Sequence, residues 1–271
     1  MPPWCSRRRC PSRGPRSLRV IPVLDLRAER AVLARGGRRE TYAPVRSVLV
    51  GTEVEAGDAV ALVRAYRDAL GLEDCYVADL DAIGGGPVQS VLLRRLAGLG
   101  SALLVDAGVA DPVRARAVRA AGAARVVVGL ETLPSFGALA AVGRAVGPEH
   151  VVFSLDLRDG VPMVRTGAPH HGAAVDLALA AVDAGATSLL VLDVARVGSG
   201  RGVDPWLVET LRRAHPGVQL LAGGGVASAR EIERLADLGL DGVLVATALH
   251  DGRVGRADIE AARRGHPSDS R

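Results

Sequence analysis

The chain contains no lysine, so every strongly basic side chain is an arginine. Catalysis through a lysine Schiff base, which one large group of aldolases uses, is therefore excluded. Aromatic residues make up only 3% of the 271 residues, whereas 48% are hydrophobic. This composition is typical of helices packed closely on a sheet, and the length allows one large core.

Cysteines and long apolar runs are also scarce. Cys5, Cys10 and Cys75 form neither a disulfide framework nor a metal-ligand pattern. The N-terminal segment, residues 1–18, lacks the apolar stretch of a secretory signal and contains no transmembrane span. We therefore expect a cytoplasmic protein with no membrane partner.

The excess of positive charge is confined to the N terminus. The net charge is +4, but residues 1–19 carry six arginines and no acid, which leaves −2 for the remainder. The body thus lacks the basic stripe that follows a nucleic-acid backbone, and we expect no nucleic-acid partner. Residues 1–18 are predicted to be a disordered basic leader or the product of a misassigned start codon. One domain is expected over 19–265, with a tail over 266–271.

Short β-branched segments alternate with longer amphipathic segments rich in Ala, Leu and Arg. Strands are predicted over residues 20–25, 75–79, 102–106, 125–129, 151–156, 188–193, 218–222 and 242–246. Helical patterns lie between them, for example over residues 57–70, 112–121, 204–214 and 228–238. Eight strand–helix units in series predict a parallel sheet closed into a single (β/α)8 barrel. A doubly wound open sheet is the alternative, and it is disfavoured because no Gly-x-Gly-x-x-Gly follows the first strand.

The first half of the sequence recurs in the second half. Residues 23–27 recur as 154–158, residues 77–86 align with 191–200, and residues 104–109 align with 221–226. The last offset, 117 positions, continues through Gly122 and Gly239. The pattern predicts two half-barrels whose equivalent positions are related by a half-turn about the barrel axis.

Aspartates end five of the eight predicted strands, on the barrel face where catalytic groups collect. They are Asp25, Asp79, Asp106, Asp156 and Asp193. Asp25 and Asp156 occupy equivalent positions of the two halves, so they would face one substrate from opposite sides. One carboxyl could then act as acid and the other as base if their environments separate their pKa values. Any one of the five aspartates could equally serve as a helix cap or turn residue.

A glycine run in the second half predicts a phosphate site. The predicted ligands are Gly223, Gly224, Gly225, Ala246 and Thr247. Consecutive glycines let backbone N–H groups approach an anion, and a short helix beginning near Thr247 would point its positive end there. The loops after the last two strands are also where barrels commonly bind phosphate.

The matching loops of the first half differ. Asp106 and Leu130 stand in the places of Gly223 and Thr247. A carboxylate at Asp106 repels a phosphate, and Leu130 offers no hydroxyl. We therefore expect one intact phosphate site, in the second half.

Other polar residues near the predicted barrel mouth are candidates for binding a substrate. They are Arg35, Asp79, Asp106, His171, Asp193, Arg196 and Ser199. Arg35 and His171 lie in loops that could close over a ligand, although solvated loop residues are the simpler interpretation. No metal site is predicted, because the pair Asp79 and Asp81 lacks a convergent pair of histidines.

Taken in order, these motifs resemble the barrel family of histidine biosynthesis, which comprises a ribotide isomerase and the cyclase subunit of imidazole glycerol phosphate synthase. The resemblance covers about residues 20–255 and is carried by residues 21–26, 77–82, 153–156, 222–226 and 242–249. It implies a half-barrel repeat, catalysis by Asp25 and Asp156, and a small phosphorylated substrate. For the isomerase it implies ring opening of a ribosylamine followed by proton transfer, an Amadori rearrangement that needs no metal or organic cofactor. A monomer is compatible with the sequence.

The sequence also departs from the family pattern. The family binds one phosphate in each half, but the loop at residues 106–108 has lost the glycine-rich pattern. Leu192 occupies the place of a threonine that assists catalysis in the isomerase, and residues 197–199 replace an Asp-Gly-Thr motif. The departures favour a diverged member that acts on a substrate with a single phosphate, while the histidine-pathway isomerase itself stays open. The alternatives are a metal-dependent epimerase or lyase acting on a sugar phosphate, and a non-catalytic protein that binds a phosphorylated metabolite.

Overall fold

A parallel sheet closes on itself in the computed structural model, which describes residues 17–33, 42–168, 171–196 and 203–264. Its strands are β1 (Arg19–Arg27), β2 (Arg30–Leu33), β3 (Ala43–Pro44), β4 (Asp74–Asp79), β5 (Ala102–Asp106), β6 (Arg125–Gly129), β7 (Val151–Arg158), β8 (Val161–Pro162), β9 (Ser188–Asp193), β10 (Gln219–Gly223) and β11 (Gly242–Val245). Strands β1, β4, β5, β6, β7, β9, β10 and β11 form the ring, and β11 pairs with β1 to close it. The predicted (β/α)8 barrel is confirmed.

Helices cover the outside of the ring. They are α1 (Ala59–Asp68), α2 (Leu80–Ile83), α3 (Ser90–Ala97), α4 (Pro112–Ala120), α5 (Phe136–Val146), α6 (Ala174–Asp183), α7 (Pro205–Ala214), α8 (Ala229–Asp237), α9 (Thr247–His250) and α10 (Arg256–Arg264). Short polar side chains fix several helix starts, because Asp58, Asp111, Asp204 and Ser228 accept hydrogen bonds from first-turn N–H groups. No helix in these ranges is long and apolar enough to cross a bilayer.

Strand alternation divides the core into two layers. Side chains such as Ile21, Tyr76, Leu104 and Leu190 fill the inside of the ring, while a larger apolar layer lies between the ring and the helices. At the amino ends of the strands, Arg19 forms an ion pair with Asp74 at 2.9 Å. The cavity described below opens at the other end, among residues at the carboxyl ends of the strands.

Two hairpins extend barrel strands beyond this mouth. Strand β1 turns back into β2 through Ala28 and Glu29, both at positive φ, and β7 turns back into β8 in the same way. These short strands were not predicted. The eight barrel strands were predicted to within two residues at each end. Residues 1–16 of the expected leader and the expected tail at 266–271 lie outside the described residues.

Candidate active site

An open cavity lies at the carboxyl ends of the barrel strands. It contains about 1240 Å³ of empty space, including the part that is continuous with solvent. The polar residues that line it include Asp25, Tyr76, Asp106, Glu131, Asp156, Arg158, Gly224, Gly225, Thr247 and Arg253.

Three carboxyl groups meet at the floor of this cavity, each at the end of a barrel strand. Burial raises the pKa of Asp25 to about 7, and the nearby Asp106 carboxylate adds to the shift. Burial raises the pKa of Asp156 to about 8, again with a contribution from Asp106. Both groups therefore exchange protons close to neutral pH, as general acid–base catalysis requires.

Asp156 is held in place by its neighbours. The Ser154 hydroxyl donates to its Oδ1 at 2.6 Å, and the Glu131 N–H donates to its Oδ2 at 3.3 Å. Gly129, on the adjacent strand β6, leaves room for the carboxyl. A Cβ atom at this position would lie 2.8 Å from Asp156 Oδ2 and 3.8 Å from Asp106 Oδ2.

The Asp106 carboxyl contributes to the raised pKa of both predicted catalytic residues, Asp25 and Asp156. Its Oδ1 accepts the Gly108 N–H at 3.1 Å, and Tyr76 also hydrogen-bonds to the carboxyl. Burial raises the pKa of Asp106 to about 7 in spite of these donors. The floor of the cavity therefore carries three carboxyls that titrate in the same pH range.

The opposite side of the cavity is formed by a glycine loop and the start of α9. Gly224 and Gly225 have φ values of +112° and +78°, a conformation that favours glycine. A Cβ atom at Gly224 would also lie 2.6 Å from the Asp193 carbonyl oxygen. Thr247 and Arg253 line the same side, and Arg253 Nη1 donates to the Ala227 carbonyl at 3.1 Å. Backbone N–H groups, a hydroxyl and a guanidinium are suitable ligands for a phosphate.

A barrel with acids at its floor and an anion loop at its rim is consistent with comparisons to known proteins. The model of a family described as "Histidine biosynthesis protein" matches residues 19–255. This chain belongs to the histidine biosynthesis protein family. The resemblance expected from the motifs is confirmed.

The relatives of this chain include proteins named as isomerases and an uncharacterised protein. A Thermus thermophilus protein named 1-(5-phosphoribosyl)-5-((5-phosphoribosylamino)methylideneamino) imidazole-4-carboxamide isomerase is 33% identical over 240 residues, which cover 88% of this chain and 96% of the relative. A Rubrobacter xylanophilus protein of the same name is 32% identical over 260 residues, covering 93% and 100%. An uncharacterised protein of Methanocaldococcus jannaschii is 28% identical over 238 residues, covering 87% and 94%.

Two of the five aspartates in this family member lie outside the cavity lining. Asp79 is buried and accepts the backbone and side-chain N–H groups of Gln89, each at 2.8 Å. Asp193 accepts the N–H groups of Asp159 and Gly160 at 3.0 Å. Both carboxyls therefore hold loops of the barrel mouth.

The remaining candidates lie around the cavity or outside the described residues. Arg196 forms an ion pair with Asp193, with 3.1 Å between Nε and Oδ2. His171 is exposed, and neither Arg196 nor His171 lines the cavity. Arg35 and Ser199 lie outside the described residues. The substrate contacts expected of these four residues stay predictions. In the described residues, no group of three or more His, Cys, Asp or Glu side chains is arranged to hold a metal ion.

The structure adds residues that sequence reasoning missed. Tyr76 contacts Asp106 from inside the barrel, and its alternation with Ala78 along β4 could have placed it there. Glu131, Arg158 and Arg253 line the cavity from loops or strand ends. Loop residues carry no periodic signal, so their positions could not be predicted.

Proposed function

We propose that this protein is a sugar-phosphate isomerase that catalyses an Amadori-type aldose–ketose rearrangement, with Asp156 as general acid and Asp25 as general base. The observation that carries the proposal is one cavity that holds both aspartates and, on its other side, a loop suited to a phosphate. The membership of the histidine biosynthesis family and the isomerase names of its relatives support the same reaction class.

The pKa values support this division of roles. Asp156 has the higher pKa, about 8, so it retains its proton near neutral pH and can donate it. Asp25 has a pKa of about 7, so a larger fraction of this carboxyl is ionised near neutral pH and able to accept a proton. Both carboxyls can therefore exchange protons near neutral pH, as acid and base catalysis in one site requires.

The reaction then proceeds in two stages. Asp156 donates a proton to the ring oxygen of an N-substituted ribosylamine, the bond from C1 to that oxygen breaks, and the nitrogen lone pair forms a C=N double bond. Asp25 then removes the proton from C2, which gives an enol. The enol becomes a ketone as C1 gains a proton and the C2 hydroxyl loses one. No atoms are gained or lost, so neither an oxidant nor a reductant is needed.

The phosphate is expected at Gly224, Gly225 and Thr247, with Ala246 and Gly223 shaping the loop. Binding there would fix the substrate at a group remote from the reacting carbons. Such remote binding energy orients the reacting end between the two carboxyls.

Turnover assays of Asp25→Asn and Asp156→Asn test the proposal. The substrates are the bisphosphate named for the Thermus thermophilus relative and an N-substituted 5-phosphoribosylamine with one phosphate. Each variant is expected to lower kcat/KM about a thousandfold, within the range for a lost acid or base. The exposed Asp183→Asn serves as the matched control and should be fully active.

The pH profile gives a second readout. Because Asp25 must be ionised and Asp156 protonated, kcat/KM should rise towards pH 7 and fall above pH 8. Activity that survives both substitutions would contradict the proposal. Loss of activity on chelation would favour the metal-dependent alternative, and phosphate binding without turnover would favour a non-catalytic binding protein.

A further inference from the structure

We propose that Asp106 is a specificity-determining residue that acts as a built-in anion in the first-half loop, so that the substrate carries one phosphate, held in the second half, and an unphosphorylated far end. This inference rests on the proposed function, because it names the substrate class for the same cavity. It is carried by a difference between two loops that lie 117 positions apart.

The second-half loop has unused hydrogen-bond donors. The N–H groups of Gly225, Thr247 and Ala248 donate to no acceptor in the structure over the ranges described. Gly225 and Thr247 line the cavity. Backbone donors beside an open cavity are normally satisfied by a ligand or water. This side of the cavity is therefore available to an anion.

The corresponding donors of the first half are all occupied. The Gly108 N–H donates to Asp106 Oδ1 at 3.1 Å. The Leu130 N–H donates to the Ser154 carbonyl at 2.9 Å, and the Glu131 N–H donates to Asp156 Oδ2 at 3.3 Å. Two of these three acceptors are carboxyl groups of the protein itself, those of Asp106 and Asp156. The place that a phosphate takes in the second half is thus filled by protein groups in the first.

An arginine of helix α4 also holds the first-half loop. Arg114 on α4 donates through Nε to the Ala107 carbonyl at 2.7 Å, and through Nη2 to the Ala82 and Gly86 carbonyls at 2.8 Å each. The position 117 residues later is Glu231, whose carboxylate instead accepts the Ala227 N–H at 2.9 Å. These three hydrogen bonds from one guanidinium fix the conformation of the first-half loop, in which Asp106 accepts the Gly108 N–H.

The charges at the two pairs of loops differ in the same sense. Asp106 and Glu131 line the cavity at the first-half loops, whereas Thr247 and Arg253 line it at the second-half loops. The other charged residues of the lining that end a second-half strand, Asp156 and Arg158, are opposite in charge and lie on β7. A second phosphate beside Asp106 would meet like charges in a partly desolvated site, which is strongly unfavourable. A substrate with a single phosphate avoids this repulsion.

Binding of two probes, ribose 5-phosphate and ribulose 1,5-bisphosphate, tests the inference by calorimetry at pH 8. The wild-type protein is expected to bind the bisphosphate no more tightly than the monophosphate. Asp106→Gly, which gives the first loop the residue found at Gly223, should tighten bisphosphate binding about tenfold and change monophosphate binding less than twofold. Asp106→Asn removes the charge without changing the size and should act in the same direction.

Thr247→Leu is the matched control, because it gives the second loop the residue found at Leu130. It should weaken both probes by a similar factor. A wild-type protein that binds the bisphosphate tenfold more tightly than the monophosphate would overturn the inference, as would an unchanged ratio in both Asp106 variants. These outcomes do not depend on turnover, so failure of the isomerase proposal leaves the test of Asp106 intact.

Discussion

Asp25 on β1 and Asp156 on β7 stand at matching positions of the repeated sequence segments 23–27 and 154–158, yet their surroundings differ. Asp156 accepts two hydrogen bonds, from the Ser154 hydroxyl and the Glu131 N–H. The carboxyl of Asp25 accepts none over the described ranges, and Val23 stands in the place that corresponds to Ser154. Sequence repetition thus places two carboxyls at one cavity, while neighbouring residues fix one of them more firmly than the other.

This difference bears on the roles of the two groups. A general acid must keep its proton close to the leaving oxygen, and a fixed carboxyl does so reproducibly. A base without fixed donors is free to turn towards the proton that it removes. Three substitutions break or sharpen the comparison between Asp156 and Asp25.

The largest effect is expected from Gly129→Ala. The position 117 residues later is Ala246, so this change gives the end of β6 the residue that directly follows β11. The new Cβ would lie 2.8 Å from Asp156 Oδ2, and the carboxyl would have to move. A displacement of this size should lower kcat/KM about a hundredfold, as measured by steady-state kinetics.

Gly143→Ala provides the control for this substitution. Gly143 lies within α5, and a Cβ there meets nothing within 4 Å. The change should leave activity intact and raise the free energy of unfolding by about 0.5–1 kcal/mol. Full activity of Gly129→Ala, in a protein as stable as the wild type, would show that the position of Asp156 is not critical.

A smaller effect, on stability, is expected from Asp106→Asn. Burial raises the pKa of Asp106 from 3.8 to about 7, so the folded protein retains a proton that the unfolded chain releases between these values. The wild-type protein therefore loses stability as pH rises through this window, and a neutral asparagine does not. We expect the thermal midpoint of the variant to exceed that of the wild type by ~5 °C at pH 8.

Thermal unfolding at pH 5 and pH 8 measures this effect. The difference in thermal midpoint between Asp106→Asn and the wild type should be smaller at pH 5, because the wild-type protein has lost less stability at that pH. Asp111→Asn, at the N-terminal cap of α4, is the control and should show no such dependence on pH. A constant difference between the Asp106 variant and the wild type at both pH values would mean that Asp106 does not titrate in this range.

The five strand-end aspartates show how far the sequence alone could lead. They look alike in the sequence, but Asp25, Asp106 and Asp156 line the cavity whereas Asp79 and Asp193 do not. The reason is the two-residue alternation of a strand. On β4, Tyr76 and Ala78 point into the barrel, so the next residue, Asp79, points outward. On β9, Leu190 points into the barrel, so Asp193, three residues later, also points outward. Alternation could therefore have separated the two groups.

Other features needed the coordinates. The order of strands and helices follows from hydrophobic patterns, so the barrel and its strand limits were predictable. The antiparallel turns at residues 27–30 and 158–161 were not, because they depend on carboxylates that are distant in the sequence. Asp81 accepts the Ala28 N–H at 2.7 Å, and Asp193 holds the second turn. Contacts of this kind have no local signature.

The smallest effect is expected from Ser154→Val, which gives Asp156 the neighbour that Asp25 has at Val23. The Ser154 hydroxyl stabilises the ionised form of Asp156, so its removal should raise the pKa of this carboxyl above about 8. If Asp156 is the acid, the alkaline limb of the kcat/KM profile should move to higher pH, while the maximum falls less than fivefold. A merely structural role for Ser154 would lower activity at every pH without moving the limb. A shift of the acidic limb instead would assign the hydroxyl to the base, and the roles of Asp25 and Asp156 would have to be exchanged.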